Sequence, residues 1–262
     1  MKIWAVLQRE FLDNLRNLKL PFLLVFILGG VIMALYTEAG PTANSTSILD
    51  PFFELFAVLC PLMGIFAAMD AIVGEKERGT LEIVLSKPIP RSSLLYGKFF
   101  TYVLMVVPLL VVELILAYFW AQISGISTYR WNMPMPPFSQ WMSMVAILSL
   151  VAVYYIALTM LISMLAWSTA TTALAGIICM SPAHPVGGEI LRIIGSMVGI
   201  DTFPAVPWLI RPALSIFGHY QKFALTSYAD FWLCCASLLA ITIFLLFIGR
   251  LIFARQNVAY RY

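Results

Sequence analysis

Residues 141–167 carry no charged side chain, and neither do residues 20–36 or 231–249. A run of roughly 18 or more such residues is long enough to cross a hydrocarbon core of about 30 Å as a helix. A backbone in lipid must satisfy its own hydrogen bonds, so the segments that cross have to be helical or close into a barrel. Uncharged runs this long favour helices. The whole chain agrees: 61% of its residues are hydrophobic and 11% charged, where a soluble chain has roughly a quarter charged. The apolar side chains exceed what a single soluble core could bury. Lipid is the solvent for most of this protein.

Six spans are predicted: 20–36, 51–73 interrupted by Pro61, 99–123 with Pro108 inside it, 141–167, a fifth from 169, and 231–249. The fifth meets Pro182 and Pro185 early, so it is short or bent. The expected fold is therefore an all-α integral membrane protein with one six-span domain over residues 19–262. Residues 1–18 place Ile3, Trp4, Leu7, Phe11, Leu15 and Leu18 at helical spacing, with Lys2, Arg9, Glu10, Asp13, Arg16 and Asn17 mostly opposite. Such a helix lies in the membrane interface. The competing reading is the leading region of a signal peptide, for which a segment this long carrying Glu10 and Asp13 is a poor candidate. Residues 181–228 are half apolar, hold Pro204, Pro207 and Pro212, and carry Glu189, Arg192, Asp201, Arg211 and Lys222. They are expected to form short amphipathic helices on the outer surface.

Orientation follows from the basic residues. With the amino terminus inside, Lys2, Arg9, Arg16, Lys19, Lys76, Arg78, Lys87, Arg91, Lys98, Arg250, Arg255 and Arg261 are cytoplasmic, out of 16 in all. Only Arg130, Arg192, Arg211 and Lys222 are outside. That bias satisfies the positive-inside rule and puts both termini in the cytoplasm of a multi-pass cell-membrane protein. Trp120, Trp131, Trp141 and Trp208 sit near predicted outer edges, as an aromatic belt would. The four cysteines, Cys60, Cys179, Cys234 and Cys235, lie in apolar segments and are expected to be buried free thiols.

The longest charged stretch joins the second and third spans. It reads Gly74, Glu75, Lys76, Glu77, Arg78, Gly79, Thr80, Leu81, Glu82, then Lys87, Pro88, Arg91, Gly97 and Lys98. Its alternating signs suit close ion pairs on a solvated helix end. Leu81, Val84 and Leu85 add an apolar edge, and Pro88 and Pro90 are expected to end the helix. From the residues alone this is either an ordinary charged loop that fixes topology or a short stiff helix held between two spans. The wording from Gly74 to Glu82, with Pro88, Arg91 and Gly97-Lys98 at these spacings, resembles the permease subunits of ABC type-two exporters. Within that family, Asp70 to Glu75 and Leu94 to Phe99 look most like the branch serving maturation of nitrous oxide reductase.

The resemblance implies a coupling helix within residues 74–98 that docks on a separate cytoplasmic ABC ATPase subunit, through Gly74 to Glu82 and Arg91. It implies that Arg9-Glu10-Phe11 belongs to a connecting helix, and that a six-span chain works as a permease dimer with two ATPases. No Gly-x-x-x-x-Gly-Lys-Ser/Thr loop is present, since Gly97-Lys98 is followed by Phe99. The chain is therefore expected to bind no cofactor and to catalyse nothing, with ATP and Mg held by the partner. Lipid is the other expected partner; nucleic acid is not one. Reversing the charge of Glu75 and Glu77 is expected to abolish stimulated ATPase activity.

Glu113 is the one acid deep in the third span, where an ionised carboxylate costs at least about 2.5 kcal/mol. It is either a pathway or gating residue or a side chain hydrogen-bonded to a neighbouring helix near the outer edge. Met133, Met135, Met142 and Met144, with His184 and His219, suit soft-metal handling or apolar filling, and no metal site is assigned to them. Two other classes stay open: a carrier without a motor, working through Glu113, and a membrane-embedded assembly factor.

Overall fold

The computed structural model describes residues 8, 11–12, 14, 19–36, 49–80, 91–124, 137–180 and 228–255. Every regular element among the described residues is a helix. In chain order these are α1 (Lys19–Tyr36), α2 (Leu49–Ala68), α3 (Val73–Glu77), α4 (Arg91–Ser124), α5 (Phe138–Leu165), α6 (Thr169–Met180) and α7 (Tyr228–Arg255). Most of the predicted helix at 1–18 lies outside the described residues, although Gln8, Phe11, Leu12 and Asn14 are helical. The predicted outer segment at 181–228 lies outside them almost entirely.

Among the described residues, four stretches are long and apolar enough to cross a membrane: Val58–Glu77, Ser92–Ile123, Phe138–Leu165 and Cys235–Arg255. The first predicted span is matched by the 18-residue α1. The predicted fifth coincides with α6, whose 12 residues rise only about 18 Å at 1.5 Å each. Pro61 and Pro108 both lie inside continuous helices, as prolines in membrane helices do where neighbours satisfy the freed backbone groups.

The predicted second span overlaps the candidate stretch Val58–Glu77, within which regular helix stops at Ala68, a turn occupies 69–72, and α3 follows as a separate five-residue helix. Ala71, Ile72 and Val73 are buried in protein.

α5 is the central helix. It packs against α2, α4, α6 and α7, and 72% of its apolar window is buried, against 28% for α7. Gly64 lets α2 and α5 meet backbone to backbone: a Cβ there would lie 2.9 Å from the Ala152 carbonyl oxygen and 3.2 Å from the Ile156 nitrogen. Close approach through small residues is how membrane helices gain packing without a hydrophobic drive. One side of α4 carries Phe100, Leu104, Val112, Leu116, Phe119 and Ile123, all exposed.

At one end of the bundle Trp141, at the start of α5, is wholly buried. Its indole N–H donates to the Leu114 carbonyl at 3.0 Å, and its ring lies 5.4 Å from Tyr118. The aromatic-belt role expected of Trp141 is thereby corrected: the indole spends its one donor inside the bundle. Trp120, half exposed, is the residue of that set free to face the interface.

Candidate functional site

The opposite end of the bundle holds the charged block. After Ala68 the chain turns through Met69 to Ile72, then winds into α3 with Gly74 N–H donating to the Asp70 carbonyl at 3.1 Å and Lys76 N–H to Ile72 at 3.1 Å. Asp70 lies directly over Gly74, where an added Cβ would sit 3.0 Å from the Asp70 Cβ. α3 then stops in a Schellman arrangement. Gly79 adopts φ +66°, its N–H donates to the Lys76 carbonyl at 3.1 Å, and Thr80 N–H donates to Glu75 at 3.0 Å. Glycine takes this left-handed conformation without the steric cost of a side chain.

Gly79 corrects the sequence expectation that this helix runs on until Pro88. The proline signal was weighed and the glycine cap was not; Leu81, Glu82, Lys87 and Pro88 lie outside the described residues.

Four polar straps tie the turn to the rest of the bundle. Ser163, near the end of α5, accepts two backbone N–H bonds on its Oγ, from Ile72 at 3.1 Å and Val73 at 3.0 Å. These donors fall in the first turn of a helix, where no intrahelical acceptor exists. Lys76 Nζ reaches across to the Met164 carbonyl at 2.5 Å. Glu77 binds the first residue of α6, accepting from Thr169 N–H at 3.0 Å and from Thr169 Oγ1 at 2.5 Å. The fourth strap is ionic: Lys98 Nζ, on α4, is 3.0 Å from Glu75 Oε1, with the lysine side chain 3% exposed and the glutamate 17%.

The short link Ala166 to Ser168 between α5 and α6 is itself tightly bound. Ser168 Oγ accepts from Thr171 N–H at 3.2 Å, and Ser168 N–H donates to Thr171 Oγ1 at 3.1 Å. This is a reciprocal cap of the kind a serine and a glutamate usually form, with threonine in the second role. The Glu77 carboxylate adds a negative charge from another element at the same helix start, where the helix dipole favours it.

The structure thus brings Gly74, Glu75, Lys76, Glu77, Arg78, Gly79 and Thr80 together, as the sequence proposed, but turns them different ways. Glu75, Lys76 and Glu77 bind other parts of the same chain. Arg78 points outward, with a side chain 66% exposed and a loose 4.0 Å contact to Asp70. Arg91 begins α4. Sequence reasoning missed Ser163, Met164, Thr169 and the inward role of Lys98. Ser163 and Thr169 are 90 or more positions from their partners, so no local spacing could signal them.

Glu113 lies toward the other end, one residue before Leu114, whose carbonyl accepts the Trp141 indole N–H. It is buried, and its Oε2 has no hydrogen-bond partner among the described residues. Met144 is packed in the core. Cys60 and Cys235 are buried free thiols and Cys179 a half-buried one.

The chain is 37% identical over 102 residues to the Pseudomonas aeruginosa protein named "Probable ABC transporter permease protein NosY". It is equally similar over 103 residues to the protein of the same name from Stutzerimonas stutzeri. Each match covers 37% of this chain and 37% of the relative, so the similarity spans little more than a third of either. The sequence model of the family described as ABC-2 family transporter protein matches residues 4–258. With four helices long and apolar enough to cross a membrane, this chain is a multi-pass membrane protein of the ABC-2 transporter family.

Proposed function

We propose that the chain is the transmembrane permease subunit of an ATP-driven ABC transporter. A separate cytoplasmic ATPase subunit holds ATP and Mg and grips the turn from Gly74 to Glu82, with Arg91 beside it. The chain crosses the membrane six times, with α1 as the first span and the short α6 as the fifth. Both termini face the cytoplasm, residues 1–18 lie in the interface, and two copies pair to complete the transporter. The output is substrate export or transmission of force across the membrane.

The observation that carries this reading is the way the turn is held. A loop that only fixed topology could leave its charges in water. Here the buried Lys98 is paired with the half-buried Glu75, which costs desolvation that a solvated loop avoids, and two further side chains fasten α3 to α5 and α6. Such a turn transmits load rather than absorbing it. Arg78, with a side chain 66% exposed, faces outward.

Purification from native membranes is expected to bring down an ABC ATPase. Arg78→Glu should weaken its binding about tenfold or more, because a reversed charge meets its like across the interface. Helix content and thermal midpoint should not move. Binding unchanged by this substitution would remove the turn from the docking surface. The carrier without a motor is favoured only by the buried, unpartnered oxygen of Glu113. It would gain if Glu113→Gln stopped function while no ATPase co-purified.

A further inference from the structure

In chain order the docking turn is the end of the two spans that flank it. Lys98 ties it to one of them, but its other three polar straps lead elsewhere. Ser163 and Met164 belong to the last turn of α5, and Thr169 is the first residue of α6. Three side chains are involved, each making its own bond: Ser163 to two backbone N–H groups of the turn, Lys76 to a backbone carbonyl, and Glu77 to both the N–H and the hydroxyl of Thr169. We infer that Thr169 and Ser163 are positioning residues which make the α5–α6 elbow, 163–171, move as one body with α3. A push on the turn is then delivered to the central helix and to α6, not only to α2 and α4. This deepens the ATPase-driven reading and rests on it.

Three features make the elbow a stiff recipient. Ser168 and Thr171 lock it by mutual capping. Ser163 and Met164 sit on the helix with the most buried surface in the bundle, which has little room to deform locally. Gly249 of α7 also approaches this corner, with its Cβ position 3.4 Å from the Met164 methyl carbon. Displacement of Met164 would therefore be felt by a fourth helix.

The test is spin-label distance measurement on the full permease–ATPase complex in lipid nanodiscs, without nucleotide and with a non-hydrolysable ATP analogue. Labels replace the half-exposed Met69 of the turn and the exposed Ala170 in one sample, and Ala170 and the exposed Arg250 in another, so that neither the Ser168–Thr171 cap nor the docking charges are altered. The expected result is a 69–170 distance unchanged by nucleotide and a 170–250 distance that shifts. Glu77→Ala and Thr169→Val should uncouple the pair, so that 69–170 changes with nucleotide and the 170–250 shift shrinks at least twofold. Thr169→Ser, which keeps the hydroxyl, should restore both values. A 69–170 distance that changes in the otherwise unsubstituted protein would overturn the rigid elbow while leaving ATPase docking in place. Substituted proteins behaving like the unsubstituted one would overturn the role of Thr169. If no ATPase binds and neither distance responds to nucleotide, the docking reading fails, and this inference with it.

Discussion

The two ends of the bundle are built by different physics. At the Trp141 end, α4 and α5 meet through rings: Tyr118 lies 5.3 Å from Phe138 and 5.4 Å from Trp141, with one indole hydrogen bond to Leu114. At the Lys98 end, four polar straps converge on α3. Aromatic packing is non-directional beyond its ring preferences and tolerates small sliding. Hydrogen bonds and ion pairs in a low-dielectric setting fix distance and angle. The Lys98 end is therefore suited to hold a position under load, and the Trp141 end to let helices shift against each other. The acids are held to different degrees: Glu75 Oε1 is paired with Lys98 and both oxygens of Glu77 with Thr169, while Oε2 of Glu75 and Oε2 of Glu113 are each buried without a hydrogen-bond partner among the described residues.

The contrast breaks most visibly at Lys98. Replacing it with Met leaves the half-buried Glu75 without its cation, with an expected loss of about 3 kcal/mol, the low end for a buried pair because water still reaches the carboxylate. Thermal unfolding in detergent should show it, and Lys98→Met combined with Glu75→Met should recover much of the loss. Equal losses in the single and double variants would mean the pair does not act as a unit.

Ser163→Ala removes the acceptor of two buried N–H groups, an expected cost of about 1–3 kcal/mol. It should also speed hydrogen exchange at Ile72 and Val73 while leaving α4 near Leu114 unchanged. Exchange that rises at both ends alike would show that the ends are not independent.

The smallest effect is expected at Glu113, with the opposite sign. Glu113→Leu replaces an unpartnered polar group with an apolar one of similar size, so stability should hold or rise by up to about 1 kcal/mol. A loss above that range would reveal a partner for this carboxyl and erase the difference between the two ends.

The sequence made the helices legible because an uncharged run of this length has one stable solution in lipid. It also marked the charged turn, since Glu75, Lys76, Glu77 and Arg78 stand together between two spans. Where the reading failed, tertiary contact overrode a local signal. Trp141 looked interfacial because of its position, yet the bundle uses its N–H. Gly79 is a local signal, a glycine in the left-handed region that ends α3 ahead of the prolines. Its Cβ would meet nothing within 4 Å, so only its φ explains it.

By itself the sequence determined the class of solvent, the helical class of the spans and the site of the polar block. Each depends on composition within a window of some twenty residues, which is the length scale on which lipid selects. Only the tertiary structure decided that Glu75 turns toward Lys98 while Glu77 and Arg78 stay exposed, and that Ser163 and Thr169 complete the turn. Those pairings join residues about ninety positions apart, and they exist only once α5 has packed against α2 with Gly64 between them.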